Sequence, residues 1–373
     1  MNRISMNLLA CCLVLYLSSI SENNAQKAKK YPPYYIDIKK NINNIEIINL
    51  SSIGKDLSYI PLETTPKCLI TNIKKILFSN SYIFISEFNK LLQFDRNGKF
   101  IRQIGSTGSG PGEYLSVGDF CIDEKKKEIC IIFSSGSKLL IFGFDGVFKN
   151  SVNISFRPAQ IIQKDDNILM FHLWNVPGKN DPSWILTTRQ GITMANFKNN
   201  LNRISQPGFL INHTPLYSFE NCTHFMEYGI DTLYYLNKNR KFQYGIFYFD
   251  DLKMDIDPIV THSLLKDEKL LNKFWIGSIM ENSRFLFIKF FRGMSNSTMC
   301  AVFDKETNSL SILKDNVFKN DLGGGIGFWP KQIVDDKILV DYGDAFDLLK
   351  KIIPSDLRRR ISETSNPVLM LLE

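Results

Sequence analysis

The sequence predicts an all-β fold: a six-bladed β-propeller with four-stranded antiparallel blades, its ring closed by an N-terminal strand and short helical insertions on one face. Three observations lead there. Two hairpin-like runs, LLQFDRNGKFIRQI and LLIFGFDGVFKNSV, set Phe94, Gly98 and Phe100 against Phe142, Gly146 and Phe148 at a constant offset of 48 residues. A repeat of that length, alternating apolar residues around Asn-Gly and Asp-Gly turns, is what one blade per repeat produces. Between the runs, residues 105–114 read GSTGSGPGEY, and four glycines with a proline in eight residues exclude helix and strand alike. That stretch therefore carries the chain from the outer strand of one blade to the inner strand of the next. Lastly, 373 residues with 44% apolar and 12% aromatic content can bury a large core, and the surplus of Phe, Tyr and Ile favours strands.

The elements follow in chain order. Residues 1–25 carry Arg3, an apolar core from Leu8 to Leu17 and a polar end at Ala25, the order of a secretory signal. Leu8-Leu9-Ala10-Cys11 also resembles a lipobox, but Cys12 onward continues apolar where a lipoprotein tether is polar. The core is too short to remain as a membrane span. Residues 26–44, rich in lysine around Pro32-Pro33, read as an exposed polar leader, and residues 45–373 as the propeller. Blade one is read at 70–78, 82–87, 90–95 and 99–104, and blade two at 119–123, 128–133, 138–144 and 147–154. Blade three takes 159–164, 167–174, 184–189 and 192–197; blade four starts near Leu216 and ends at 241–249. Near-helical spacing of Leu264, Leu265, Leu271 and Phe274 predicts a helix before blade five, which takes 275–280, 284–291, 298–304 and 309–313. Blade six is read at 330–334, 338–342 and 368–372, with helices over 345–353 and 356–363 between the last two.

The runs Tyr59-Ile60-Pro61-Leu62-Glu63-Thr64-Thr65, GSTGSGPGEY and Asn366-Pro367-Val368-Leu369-Met370 together resemble the six-bladed, NHL-like propeller family common among exported Bacteroidetes proteins. The resemblance spans about residues 45–373. It implies that the strand through Ile60 and Leu62 is the outer strand of the last blade, and that the protein works in the periplasm, at the cell surface or secreted. It implies no activity, since most members have none assigned.

A net charge of +7 is spread over turns, as in Glu124-Lys125-Lys126-Lys127, so nucleic acid is excluded as a partner; Arg358-Arg359-Arg360 is the one dense cationic run. Beyond the signal stand Cys68, Cys121, Cys130, Cys222 and Cys300, without CxxC spacing. A turn at 124–127 brings Cys121 opposite Cys130, as two buried thiols or, alternatively, a cross-strand disulfide.

Sorting the connections by propeller geometry sends the short turns to one face. Residues 105–118, 175–183, 250–274, 292–297, 314–329 and 344–365 go to the other, and function is placed there. GSTGSGPGEY lacks the lysine and helix of a phosphate loop, so Glu113 is expected to bond backbone N–H groups and Tyr114 to pack beneath. The candidate ligand-binding set is Tyr114, His172, Trp174, Trp184, Trp275, Arg292 and Trp329: aromatics that stack on sugar rings or anchor interfaces, a lone histidine, and a directional donor. No GxSxG or HExxH is present, and no catalytic residue or cofactor is assigned. The reading is a monomeric, non-catalytic binding protein for a glycan, a peptide or an envelope protein. The alternative, by likeness to lactonase-type propellers, is a hydrolase or lyase with calcium or zinc in the channel, drawing on Glu87, Asp119, Glu220, Glu281 and Asp344.

Overall fold

The computed structural model describes residues 32–133, 137–173, 182–198, 209–210, 214–227, 230–254, 259–260, 270–293 and 297–373. Six antiparallel sheets form the ring; in blades one to five the four blade strands follow one another across the sheet in chain order. Blade one comprises Lys75–Phe78, Tyr82–Ser86, Leu91–Asp95 and Phe100–Ile104. Blade two comprises Asp119–Asp123, Glu128–Ile132, Lys138–Gly143 and Phe148–Asn153. In both, the second and third strands are almost wholly buried while the outer strand is largely exposed. This explains why their apolar runs were legible: inner strands are covered on both faces by neighbouring blades.

Blade three is Pro158–Asp165, Ile168–Leu173, Pro182–Thr188 and Thr193–Lys198, and blade four is Leu216–Phe219, Cys222–Met226, Thr232–Asn237 and Arg240–Tyr248. Blade five is Phe274–Glu281, Phe285–Arg292, Thr298–Asp304 and Ser309–Leu313. Each pair of neighbours shares an apolar cluster, such as Phe84, Ile104, Phe120, Ile129 and Phe142 between blades one and two. Burying one such ring contributes about 2–3 kcal/mol, so the interfaces hold the ring together.

Blade six is assembled from both ends of the chain. Gln332–Val334, Ile338–Gly343 and Val368–Leu372 are completed by Leu57–Pro61, which pairs antiparallel with Val368–Leu372. Asn366 fastens the seam: its Oδ1 accepts from Ile70 N–H at 2.8 Å, and its Nδ2 donates to the carbonyls of Glu63 at 2.7 Å and Cys68 at 2.9 Å. At the turn facing this seam Gly98 has φ +86°, and a Cβ there would stand 2.4 Å from the Pro61 oxygen. Only glycine meets both demands.

One expectation needs correction. The described part of residues 26–44 is no exposed leader, because Tyr34–Asp37 adds a fifth, parallel strand to blade four. Asp37 then caps the short helix Ile38–Asn41, accepting from Lys40 N–H at 2.8 Å, and Ile45–Glu46 pairs parallel with the outer strand of blade five. Ile36 and Ile38 are buried, and the surrounding lysines had masked their alternation. The helix expected near 264–274 lies mostly outside the described residues; ahead of it Asp250–Leu252 forms a single 3-10 turn, and Phe274 begins the first strand of blade five. Helices Ala345–Leu349 and Ser355–Arg360 do occupy the insertion of blade six, and Arg358 spends its guanidinium on the carbonyls of Leu349 and Lys351. Among the described residues no helix is long and apolar enough to cross a membrane.

Candidate functional site

Among the connections that the sequence assigns to the long-loop face, the one from blade one to blade two, residues 105–118, is described throughout. The GSTGSGPGEY loop is held by its own backbone and by one carboxylate. Ser106–Thr107 pairs parallel with Glu113–Tyr114, and Glu113 Oε2 accepts from Gly110 N–H at 2.8 Å. Gly112, at φ +75°, leaves room for the Phe148 ring, which a Cβ would meet at 2.9 Å. Tyr114 is buried under the loop: its Oη donates to the Ile104 carbonyl at 2.5 Å and accepts from Leu91 N–H at 3.2 Å. Burial pushes its phenol up to about 12.

Between this loop and blade two lies a groove of about 440 Å³, within the range that accommodates small ligands or a few side chains. Residues 108–115 make one wall, and Phe133, Lys138, Leu140, Phe148 and Ser151 the other. Leu115 on this wall is 64% exposed, and the loops tied to its own carry Phe88 at 68% and Leu69 at 46%, three apolar residues that make up an exposed ridge. The three loops are linked to one another. Val117 N–H donates to the Phe88 carbonyl at 2.8 Å, and Lys74 donates to the Val117 carbonyl at 3.0 Å with its ammonium 5.6 Å from the Phe88 ring centre. Lys90 bridges Glu87, at 2.7 Å, to the Leu69 carbonyl. Glu87 itself accepts from Thr71 N–H at 2.5 Å, Thr71 Oγ1 at 2.9 Å and Asn72 N–H at 3.0 Å. Burial alone would raise the Glu87 carboxyl, but Lys90 and these donors outweigh it and hold it below the usual carboxylate range.

The residues singled out from sequence are not gathered here, apart from Tyr114. His172 is buried in blade three against Trp184, ring centres 4.5 Å apart, and Trp184 packs on Phe225 at 5.1 Å. Trp329 is buried parallel to Phe318. Burial thus covers His172, Trp184 and Trp329, whose rings pack in the inter-blade contacts, while Tyr114, equally buried, meets the groove only as part of its wall. Trp275 is half-buried, stacked on Phe291 at 4.4 Å, and lines a cleft of about 40 Å³ between blades four and five, well below the size of a ligand pocket. Arg292 is exposed and donates to Asn272 Oδ1. Trp174 lies outside the described residues.

The carboxylates considered for a channel cation are engaged or apart. Asp119 pairs with Lys75 at 2.8 Å and accepts from Ile161 N–H at 2.9 Å. Glu281 is buried between Lys305 at 2.6 Å, Tyr217 Oη at 2.8 Å and Tyr244 Oη. Glu220 sits exposed in a turn at φ +48°, and Asp344 is exposed before helix Ala345–Leu349. Among the described residues no three His, Cys, Asp or Glu side chains come together to hold a metal. The groove and the ridge escaped sequence reading, since Leu69, Phe88 and Leu115 are single apolar residues in loops, with no period to mark them.

Comparison with known proteins adds the following. A family model described as a domain of unknown function, DUF4934, matches residues 33–373. No curated protein matches the chain. Among solved structures, a protein of Bacteroides fragilis described as an inferred exported protein is 19% identical over 91% of this chain and 99% of its own, with a TM-score of 0.71. At that identity the likeness speaks to the fold alone. A member of the DUF4221 family from Bacteroides vulgatus is 11% identical over 72% of this chain and 86% of its own, with a TM-score of 0.47. The resemblance drawn from sequence is met at the level of a six-bladed propeller, and nothing among these matches carries the NHL label.

Proposed function

Because this chain belongs to the DUF4934 family over residues 33–373, for which no activity is described, we propose its function from its own surface: a non-catalytic, exported binding protein that holds a peptide or protein segment of the cell envelope on its long-loop face. The observation that carries this reading is the groove at residues 108–115 running into the exposed ridge of Leu115, Phe88 and Leu69. Three large apolar side chains in water, those of Phe88 and Leu69 on loops held by Lys74, Lys90 and Glu87, are a cost to a free protein, and covering them is what association supplies. A peptide fits better than a glycan, because the rings that would stack on sugars, Tyr114, Trp184 and Trp329, are already covered. Lys138, exposed on the far wall, adds a cation facing a peptide's carboxylate or carbonyls. The secretory order of residues 1–25 supports a site of action outside the cytoplasm.

Panning a random peptide display library against the mature chain tests this, with the bound peptides mapped by hydrogen exchange. Protection is expected over 86–91 and 105–118, with affinity lowered about tenfold or more by Phe88→Glu or Leu115→Glu. Peptides that protect only the short-turn face, or that ignore both substitutions, refute it.

A further inference from the structure

We propose that Cys121 and Cys130 are oxidised to a cross-strand disulfide once the chain is in an oxidising compartment. The two stand directly opposite one another on the first and second strands of blade two. Both are buried in the contact with blade three, among Ile132, Leu139, Ile141 and Ile161. Their thiols lie close enough to hydrogen-bond, and that bond holds the Cys130 thiol below its ordinary value while, together with burial, it pushes the Cys121 thiol well above, which makes Cys130 the first nucleophile. The other described cysteines stand apart from this pair. Cys68 donates to the Glu63 carbonyl at 3.1 Å, Cys300 is buried in the contact of blades five and six, and Cys222 is half-buried at a strand start. One pair and three single thiols is the arrangement.

The chemistry is thiol–disulfide exchange with a protein or small-molecule disulfide as oxidant. One cysteine thiolate attacks the oxidant's sulfur, forming a mixed disulfide and releasing one oxidant thiol. The second cysteine, losing its proton, attacks the cysteine sulfur of that mixed disulfide and displaces the other thiol. Two electrons and two protons pass to the oxidant. Burial in the finished fold places this step before blade three closes over blade two. Directly opposed strand residues hold their Cβ atoms about 4.5–5.5 Å apart, against about 3.5–4.5 Å in a disulfide. The bond therefore draws these two strands together and fixes their register, next to the strand that begins at Lys138 and walls the groove.

Oxidation in the cell rests on the export reading, so the experiment separates the two. The chain is produced with its own leader and with a grafted secretory leader, quenched in acid, unfolded, alkylated, digested and weighed. The expected result with the grafted leader is alkylated Cys68, Cys222 and Cys300, and a linked Cys121–Cys130 peptide about 2 Da lighter than its reduced form. Wild type should then melt a few degrees lower in reductant, while Cys121→Ala/Cys130→Ala is indifferent to it. Alkylation of Cys121 and Cys130 in the grafted-leader material overturns the proposal. A bond that forms with the grafted leader and not with the native one supports the pair and overturns export instead.

Discussion

Replacing Glu87 by glutamine removes one charge from the base of the apolar ridge while preserving its shape. The remaining carbonyl oxygen of Gln can still accept from Thr71 and Asn72, but its amide would face Lys90 in place of the oxygen now at 2.7 Å. Hydrogen bonds to a charged group contribute about 1.5–3 kcal/mol each, and with one of them lost and the rest weakened the cost is about 2–3 kcal/mol. For a folded unit spanning residues 33–373 the melting entropy is about 0.7 kcal/mol per degree, so the midpoint should fall by about 3–4 °C at pH 7. The pH dependence gives a second, sharper check. The folded carboxyl lies below its ordinary value of 4.5, so its stabilisation is complete above that value and lost as pH falls through the folded one. Calorimetry of wild type and Glu87→Gln from pH 7 into acid should show the gap hold down to the ordinary carboxylate value and narrow below it, other titrations being common to both. Equal midpoints at pH 7, or a gap that survives acidification, would refute the reasoning.

Other perturbations have equally definite outcomes. Lys305→Met leaves Glu281 buried without its cation, which should cost about 3–5 kcal/mol near neutral pH. Burial already raises the Glu281 carboxyl, so this variant should regain stability as pH falls and the acid protonates; urea midpoints at pH 8 and pH 5 measure the difference. Gly98→Ala sets a Cβ against the Pro61 oxygen in a left-handed turn, at about 2 kcal/mol or more, and faster hydrogen exchange along Val368–Leu372 would register the loosened seam. Tyr114→Phe removes both hydrogen bonds beneath the groove, at about 1–3 kcal/mol by denaturant titration. In wild type this phenol should stay protonated until about 12, as ultraviolet difference titration against Tyr114→Phe would show.

Blades one and two were legible because both interior strands of each are apolar, with turns at Gly98 and Gly146 that only glycine favours. The N-terminal strap was not. Tyr34–Asp37 is a single edge strand with half its residues in solvent, and its lysine-rich surroundings outweigh two buried isoleucines in any composition count. Blades three and four were legible as well: the strands expected at 159–164, 167–174, 184–189 and 192–197 lie at Pro158–Asp165, Ile168–Leu173, Pro182–Thr188 and Thr193–Lys198, and that expected at 241–249 lies at Arg240–Tyr248. Continuous apolar runs report burial on both faces; where one face is free only alternation remains, and four residues such as Tyr34–Asp37 are too few to show it.

The candidate site fails to show in sequence for a different reason, visible in Tyr114 and Leu115. The two are neighbours in one loop, and residue type alone would give the binding role to the tyrosine. Yet a loop of four glycines has no side chains with which to fill the space beneath it, so the ring turns inward and its hydroxyl satisfies Ile104 and Leu91. Leu115, one residue on, is thereby turned outward into water. The same logic acts on Glu87, which stands where a channel ligand was sought but is consumed by the N–H groups of Thr71 and Asn72. Buried backbone donors must be answered, and a carboxylate at a strand end is the nearest answer. On the long-loop face, then, the chemically distinctive side chains are drawn into holding the loops in place. What remains for a partner is the ordinary apolar residues those loops present, whose significance comes only from being held together.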